Sequence, residues 1–381
     1  MTAEQKLLCE LLSSSLFDVQ FTAPKNADWN KIKSEAIIQT VAGLIPETDG
    51  LDDQVLFKIE AKSLRILHEQ NKLGRLFASH SLPMAILKGT AAAIYYPRPI
   101  DRTMGDIDFI VPEVRFEEAE KLLEQNGYIL ECPISLSSPR HSVWKKNGIF
   151  FELHHHFSHE DLYIDDYVSA GLSHTVWAYI GEAGFPMLPP LPNGLVLLVH
   201  MRSHLKSGMG LRQIIDWMMY VDKVLNDEFW ENEFKTVAES KGLDTLAITT
   251  TRMCQLFLGL PNRISWCESA DIDLCEELLD LVFSSGNFGR KNSVRVSVET
   301  VSTRISQLGL FTYLQTAGEH NWIAYHRNSR LKMFCWIYQF FRIVRRGFKT
   351  NRGILLAEEI YHSKERYDLL KRLKLFEDIK A

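Results

Sequence analysis

The sequence predicts an α+β protein, a small mixed β-sheet core with helices, flanked by N-terminal helices and a C-terminal helical bundle. Three observations lead there. Residues 3–80 place apolar side chains at helical spacing. From Pro83 the pattern breaks into short apolar runs punctuated by Gly, Pro and Asn, with a strong hairpin signal at Asn147-Gly148. From Leu191 helical spacing returns. The corresponding division is 1–80 for the N-terminal helical region, 81–160 for the α+β core and 161–381 for the C-terminal helical domain.

Taken in order, Glu4 to Leu16, Trp29 to Leu44 and Leu51 to His80 read as helices, the last through Leu56, Ile59, Leu64, Leu67, Leu73 and Leu76. Pro46-Glu47-Thr48-Asp49-Gly50 reads as a loop and helix-start signal. Met84 to Leu87 is a short apolar strand ending at Lys88-Gly89-Thr90. Thr90 to Tyr96 is a short helix stopped by Pro97 and Pro99. A strand carrying Asp106 and Asp108 follows, then an amphipathic helix from Glu113 to Gln125 closed by Asn126-Gly127. Tyr128 to Glu131 is a candidate strand. Ser142 to Lys146 and Ile149 to Phe157 are the arms of the hairpin. Gly194 to Lys206, Leu211 to Val224, Trp230 to Lys241, Leu246 to Leu258 and Asp271 to Phe283 fit helices. Ser284 to Val298 reads as a loop, and Asn328 to Phe376 as a long helical series.

With 381 residues, two or three domains are expected. Apolar residues at 46% supply ample core, and a net charge of −5 argues against general nucleic-acid binding, which needs a basic surface. The six cysteines form no CxxC pair, so no zinc-ribbon or thioredoxin spacing is present, and they read as buried free thiols of a reducing cytosol. Met1-Thr2-Ala3-Glu4-Gln5-Lys6 lacks the basic and apolar regions of a secretory signal. No uncharged apolar run reaches the ~18 residues of a membrane span. A cytoplasmic protein is the expectation.

The most informative stretch is Met104-Gly105-Asp106-Ile107-Asp108-Phe109-Ile110-Val111-Pro112. Side chains two apart on a strand share a face, so Asp106 and Asp108 point one way while Ile107 and Phe109 enter a core. Paired anions repel unless a cation joins them, and a hard divalent cation with oxygen ligands suits them. Phe150-Phe151-Glu152-Leu153-His154-His155-His156 places Glu152, His154 and His156 on one strand face by the same rule. If that strand lies beside the aspartates, three carboxylates converge on a two-cation site of the kind used in phosphoryl transfer. At Leu87-Lys88-Gly89-Thr90 a strand ends and a helix begins. Glycine admits a phosphate close to the backbone, the first helical turn offers N–H donors, and Thr90 adds a hydroxyl.

Ile86-Leu87-Lys88-Gly89-Thr90, Tyr96-Pro97, Arg102 and Asp106-Ile107-Asp108-Phe109-Ile110-Val111 together resemble the nucleotidyltransferase superfamily that includes DNA polymerase β. More narrowly, the chain resembles the bacterial family usually labelled uncharacterised nucleotidyltransferase. That family also shows an acidic-x-His strand and a His-Leu helix followed by Arg-x-x-x-Asp, here Glu152-Leu153-His154, His204-Leu205, Arg212 and Asp216. The resemblance covers roughly residues 60 to 225. It implies metal-dependent transfer of a nucleoside monophosphate from an NTP (ATP, CTP, GTP or UTP) to an acceptor. Asp106 and Asp108 would bind Mg²⁺, or alternatively Mn²⁺. Glu152 would be the third carboxylate, helping to activate the acceptor hydroxyl, and Gly89 and Thr90 would cradle the triphosphate. The superfamily turn is usually Gly-Ser or Gly-Gly, and its third acid is commonly Asp; this chain has Gly89-Thr90 and Glu152.

Each residue also has a plainer reading. Lys88 can contact a phosphate or snorkel from the strand end. Arg102 has the fork geometry for phosphate or makes a loop salt bridge. His154 lines the active site or joins His156 and His159 in a transition-metal site. Arg212 and Asp216 touch the nucleotide or form an intrahelical i,i+4 pair. His200 and His204 lack the glutamate of a metalloprotease motif. Residues 332–352 carry Lys332, Arg342, Arg345, Arg346, Lys349 and Arg352 without an acid. They read as a packed amphipathic helix in preference to a peripheral membrane contact. Two rival functions stand beside transfer: a nucleotide- or partner-binding module with a lapsed site, told apart by whether Glu152 faces the aspartates, and a phosphohydrolase built on His154 and His156. The acceptor stays open among small molecules, lipids, peptides and proteins.

Overall fold

The computed structural model describes residues 1–22, 24–45, 53–134, 140–158, 164–287, 291, 309–322, 324–325, 329–348 and 368–375. The chain forms two compact units, Met1–Lys291 with Leu373–Ala381, and Asn292–Arg372. No helix among the described residues is long and apolar enough to cross a membrane.

The first unit begins with α1 (Ala3–Phe17), whose start is fixed by a capping box between Thr2 and Gln5. α2 (Trp29–Ile38) and the amphipathic α3 (Asp53–Ser79) follow. The expected loop at Pro46–Gly50 lies outside the described residues. Seven strands then alternate with short helices: β1 (Ala85–Leu87), α4 (Gly89–Ala93), β2 (Ile107–Ile110), α5 (Phe116–Gln125), β3 (Ile129–Cys132), β4 (His141–Lys146) and β5 (Ile149–His154). α6 (Asp165–Leu172), β6 (Val176–Ile180) and β7 (Ala183–Met187) complete the set. They form one mixed sheet in the order β3-β4-β5-β2-β1-β7-β6, the α+β class that the sequence predicts.

The β4–β5 hairpin forms where Asn147-Gly148 calls for it, both residues taking positive φ (51° and 74°) as a two-residue turn of matching twist demands. The β6–β7 hairpin lies outside the predicted strands. Its signal is present: Val176-Trp177-Ala178-Tyr179-Ile180 is rich in strand formers, and Gly181 follows at φ 59°.

Period two decides the faces. Ile107 and Phe109 of β2 and Phe151 and Leu153 of β5 pack with Leu73 and Phe77 of α3 and Leu122 and Leu123 of α5 in one core. The alternate residues, Asp108, Glu152 and His154, take the opposite face. That face looks toward α7 (Pro190–Ser207) and α8 (Leu211–Lys223). α8 is buried through nearly its whole length, from Leu211 to Val221. α9 (Asp227–Phe229), a π turn (Trp230–Phe234), α10 (Lys235–Ser240), α11 (Asp244–Phe257) and α12 (Ile272–Ser285) follow. Gln39 ties three of these elements together, accepting from the Leu211 N–H and donating to the Val282 carbonyl.

In the second unit α13 (Leu310–Asn321) packs on α14 (Cys335–Phe348), with Trp322 stacked on Tyr338 at 5.2 Å. The basic helix expected over 332–352 is thus present from Cys335. Its apolar side is only partly covered, since Phe340 and Phe341 are 47% and 63% exposed. Lys349 and Arg352 lie outside the described residues.

Candidate active site

β2 and β5 pair in parallel, with Asp108 directly opposite Glu152 and Ile110 opposite His154. That register brings together two acids 44 positions apart in the chain. Asp106, Asp108 and Glu152 line one pocket of about 250 Å³, floored by the sheet and walled by Val199, His200, Ser203 and His204 of α7 and Arg212 of α8. Asp106 lies just before β2 and is exposed, whereas Asp108 is buried.

Lys88 leads into the site from the β1–α4 turn. Its backbone sits at φ 52°, ψ −138°, a region that costs a non-glycine residue roughly 1–3 kcal/mol. Gly89 follows at φ 36°, lines the pocket, and has nothing beyond its own local backbone and chain neighbours within 4 Å of where a side chain would begin. The Lys88 ammonium lies 2.7 Å from Asp108 Oδ1, and His154 Nε2 lies 3.3 Å from the same oxygen. Burial pushes the Asp108 carboxyl up, but Lys88 and His154 outweigh it and hold it well below the usual carboxylate range. Burial depresses Lys88 in turn, and Asp108 and Glu152 more than restore its charge.

His154 also approaches Glu152 Oε2 at 3.4 Å, and His141 Nε2 lies 3.9 Å from the same oxygen. Burial lowers His154, but its bonds to Asp108 and Glu152 raise it overall. Across the pocket the His200 and His204 rings meet Nε2 to Nε2 at 3.0 Å. Burial, then the charge of Lys88, pushes His200 well down and His204 to about 4, so both are neutral near pH 7.

The other candidate residues take the following positions. The Thr90 hydroxyl does not face the pocket: it is buried and donates to Gln70 Oε1 at 2.6 Å, because the phase of α4 turns it into the interior. Arg102, which also lines the pocket, and Asp216 spend their charges on each other. Arg102 forks onto both Asp216 oxygens at 2.6 Å, and Tyr96 donates to Asp216 at 2.7 Å, all three buried. Arg212 therefore makes no intrahelical pair with Asp216. It donates to the Thr103 carbonyl at 3.2 Å, lines the pocket, and is lowered to about 10 by burial and by Arg102. His156 does not join His154: β5 ends at His154, and His156 turns to Glu113 at 3.3 Å. The convergence required by a His154–His156 phosphohydrolase is absent among the described residues. His159 lies outside them.

The pocket also holds residues that sequence reasoning missed, chiefly Arg140 and His141. His141 had a legible signal. Once Asn147-Gly148 is a two-residue turn, Lys146 faces Ile149, and counting back pairs His141 with His154.

Asp106 just before β2, Asp108 on it and Glu152 opposite Asp108 thus gather in one pocket beside a strand–Gly–helix turn. The profile of the uncharacterised nucleotidyltransferase family matches residues 51–259, and the chain belongs to that family. No curated protein matches it.

Proposed function

We propose that the protein transfers a nucleoside monophosphate from an NTP to an acceptor and releases pyrophosphate. The observation that carries this reading is the Asp108–Glu152 register, which supports Asp106, Asp108 and Glu152 acting in one pocket beside the Lys88-Gly89 turn. The acceptor oxygen forms a bond to the α-phosphorus, the bond from that phosphorus to the bridging oxygen breaks, and pyrophosphate departs with the electron pair. Glu152 takes the proton from the acceptor hydroxyl.

The donor set fits a hard divalent cation. Asp108 keeps its negative charge despite burial, and a lysine ammonium already stands at the carboxylate where positive charge is needed. Asp106, Asp108 and Glu152 would hold Mg²⁺ or Mn²⁺, which when bound neutralises triphosphate charge and eases deprotonation of the acceptor. Gly89 leaves room for the triphosphate to reach the backbone. Lys88 exchanges Asp108 for a phosphate oxygen when nucleotide enters, and Arg212 adds a second cation at the opposite wall. The test is incubation with each labelled NTP, Mg²⁺ and cell extract. Label transfer that EDTA and Asp108→Asn both abolish is expected. Absence of transfer, together with no Mg²⁺-dependent nucleotide binding, overturns the reading.

A further inference from the structure

His141, Glu152 and His154 place one ligand atom each within 4.8 Å of one another. Two imidazoles and one carboxylate are a donor set of a different kind from the aspartates. Imidazole nitrogen suits Zn²⁺, Fe²⁺, Co²⁺ and Ni²⁺, whereas Mg²⁺ prefers carboxylate and water oxygen. Ligands about 2.1 Å from a tetrahedral cation lie about 3.4 Å apart. His154 Nε2 stands 3.4 Å from Glu152 Oε2, and His141 Nε2 stands 3.9 Å from it, so the cage needs only small side-chain shifts to close. The rings of His141 and His154 lie 4.7 Å apart on adjacent strands of a sheet, a rigid mount. The triad opens onto the pocket, which leaves coordination positions for water or a ligand oxygen.

We propose that His141, Glu152 and His154 form a binding site for a borderline divalent transition metal, Zn²⁺ or Fe²⁺ in class, next to the two-aspartate centre. The site shares Glu152 with the proposed transferase chemistry but not Asp106 or Asp108, and its existence does not depend on nucleotidyl transfer. Without nucleotide Asp108 stays paired with Lys88, so three protein ligands and open positions describe the site. The second His-containing group, Glu113 with His155 and His156, lies more on the surface and serves as an internal control.

The test uses chelator-treated full-length protein titrated with Co²⁺, followed by visible absorption and calorimetry. Expected are ligand-field bands that stoichiometric Zn²⁺ displaces and a large excess of Mg²⁺ does not. His141→Gln and His154→Gln each weaken Co²⁺ binding by about tenfold or more, while His156→Gln leaves it unchanged. His141 is only partly buried, so its variant tests the site even where His154→Gln fails to fold. Absence of bands, bands that survive both substitutions, displacement by equimolar Mg²⁺, or bands lost with His156→Gln each overturn the proposal. Mg²⁺-dependent nucleotide binding, measured alongside, separates the two readings. Nucleotide binding without a cobalt signal removes this site alone, and a cobalt signal without nucleotide binding removes the transferase alone.

Discussion

Asp216→Asn is the most discriminating test of how the pocket is held together. Asp216 is buried on α8 and receives three hydrogen bonds, two from the Arg102 guanidinium at 2.6 Å and one from the Tyr96 hydroxyl at 2.7 Å. Arg102 is also buried, so the neutral amide leaves a guanidinium charge with no counter-ion beside it. Breaking a buried pair from one side costs about 3–5 kcal/mol. At about 2–4 °C per kcal/mol for a unit of this size, the melting temperature falls by roughly 6–20 °C. Tyr96→Phe removes only one bond to a charged group and costs about 1.5–3 kcal/mol. Urea unfolding followed by tryptophan fluorescence reads these losses, since buried Trp217 neighbours Asp216 in sequence. The decisive comparison is the double variant Arg102→Met with Asp216→Leu, which removes both charges. It should cost far less than the sum of the single losses. Single losses below about 1 kcal/mol, or strict additivity in the double variant, refute the argument that this is a mutually dependent buried pair. The effect reaches the site because Arg102 anchors the segment that leads through Thr103 and Gly105 to Asp106.

Three further outcomes follow from the same geometry. If the proposed transfer is right, Glu152→Gln should lower its rate by about 10²–10⁴ with nucleotide affinity less affected, since the proposed base has been removed and the Lys88-Gly89 turn left intact; single-turnover kinetics checks it. His204 stays neutral in the fold, at about 4 against an ordinary 6.5, so the unfolded chain binds the extra proton between those values. Stability is therefore lost as pH falls from about 6.5 to about 4, by up to about 3 kcal/mol, and His204→Gln should flatten that slope in urea titrations repeated across pH. Among the thiols, Cys132 is exposed, while burial raises Cys267 and Cys275 to about 11 and Cys9 to about 12. At pH 8 a pKa of 11 leaves about one thiolate in a thousand, so a disulfide reagent should modify Cys132 quickly and the buried thiols only on unfolding.

Much of the site was legible because strand geometry is local. Period two places Asp108 on one face of its strand and Glu152 with His154 on one face of theirs, and the Asn147-Gly148 turn sets the hairpin register. Several flanking helices, such as Ala3–Phe17, Asp53–Ser79 and Leu211–Lys223, follow from apolar spacing, whereas the helix expected from Trp29 to Leu44 ends at Ile38 and those at Asp165–Leu172 and Leu310–Asn321 lie outside the expected spans. Other features are tertiary and leave no such mark. Thr90 reads as a donor in the turn, but the rotation of a five-residue helix decides where its hydroxyl goes. Arg212 and Asp216 have the spacing of an intrahelical pair, yet Asp216 is claimed by Arg102 from 114 positions away, a stronger bidentate partner. His156 keeps the parity of Glu152 and His154, but parity carries meaning only while the strand lasts, and β5 stops two residues earlier.

The alignment of β5 between β2 and β4 carries a consequence for assembly. Its side chains alternate between Phe151 and Leu153, which the hydrophobic interior requires, and Glu152 and His154, which face the opposite way. A slip by a single position would drive a carboxylate into oil and turn a phenyl ring toward water, so greasy residues that never touch a substrate police the placement of the acid. The Asp108–Glu152 juxtaposition spans 44 positions and exists only once that long-range zipper has closed, so cation affinity, if the proposed site is right, reports correctly completed folding.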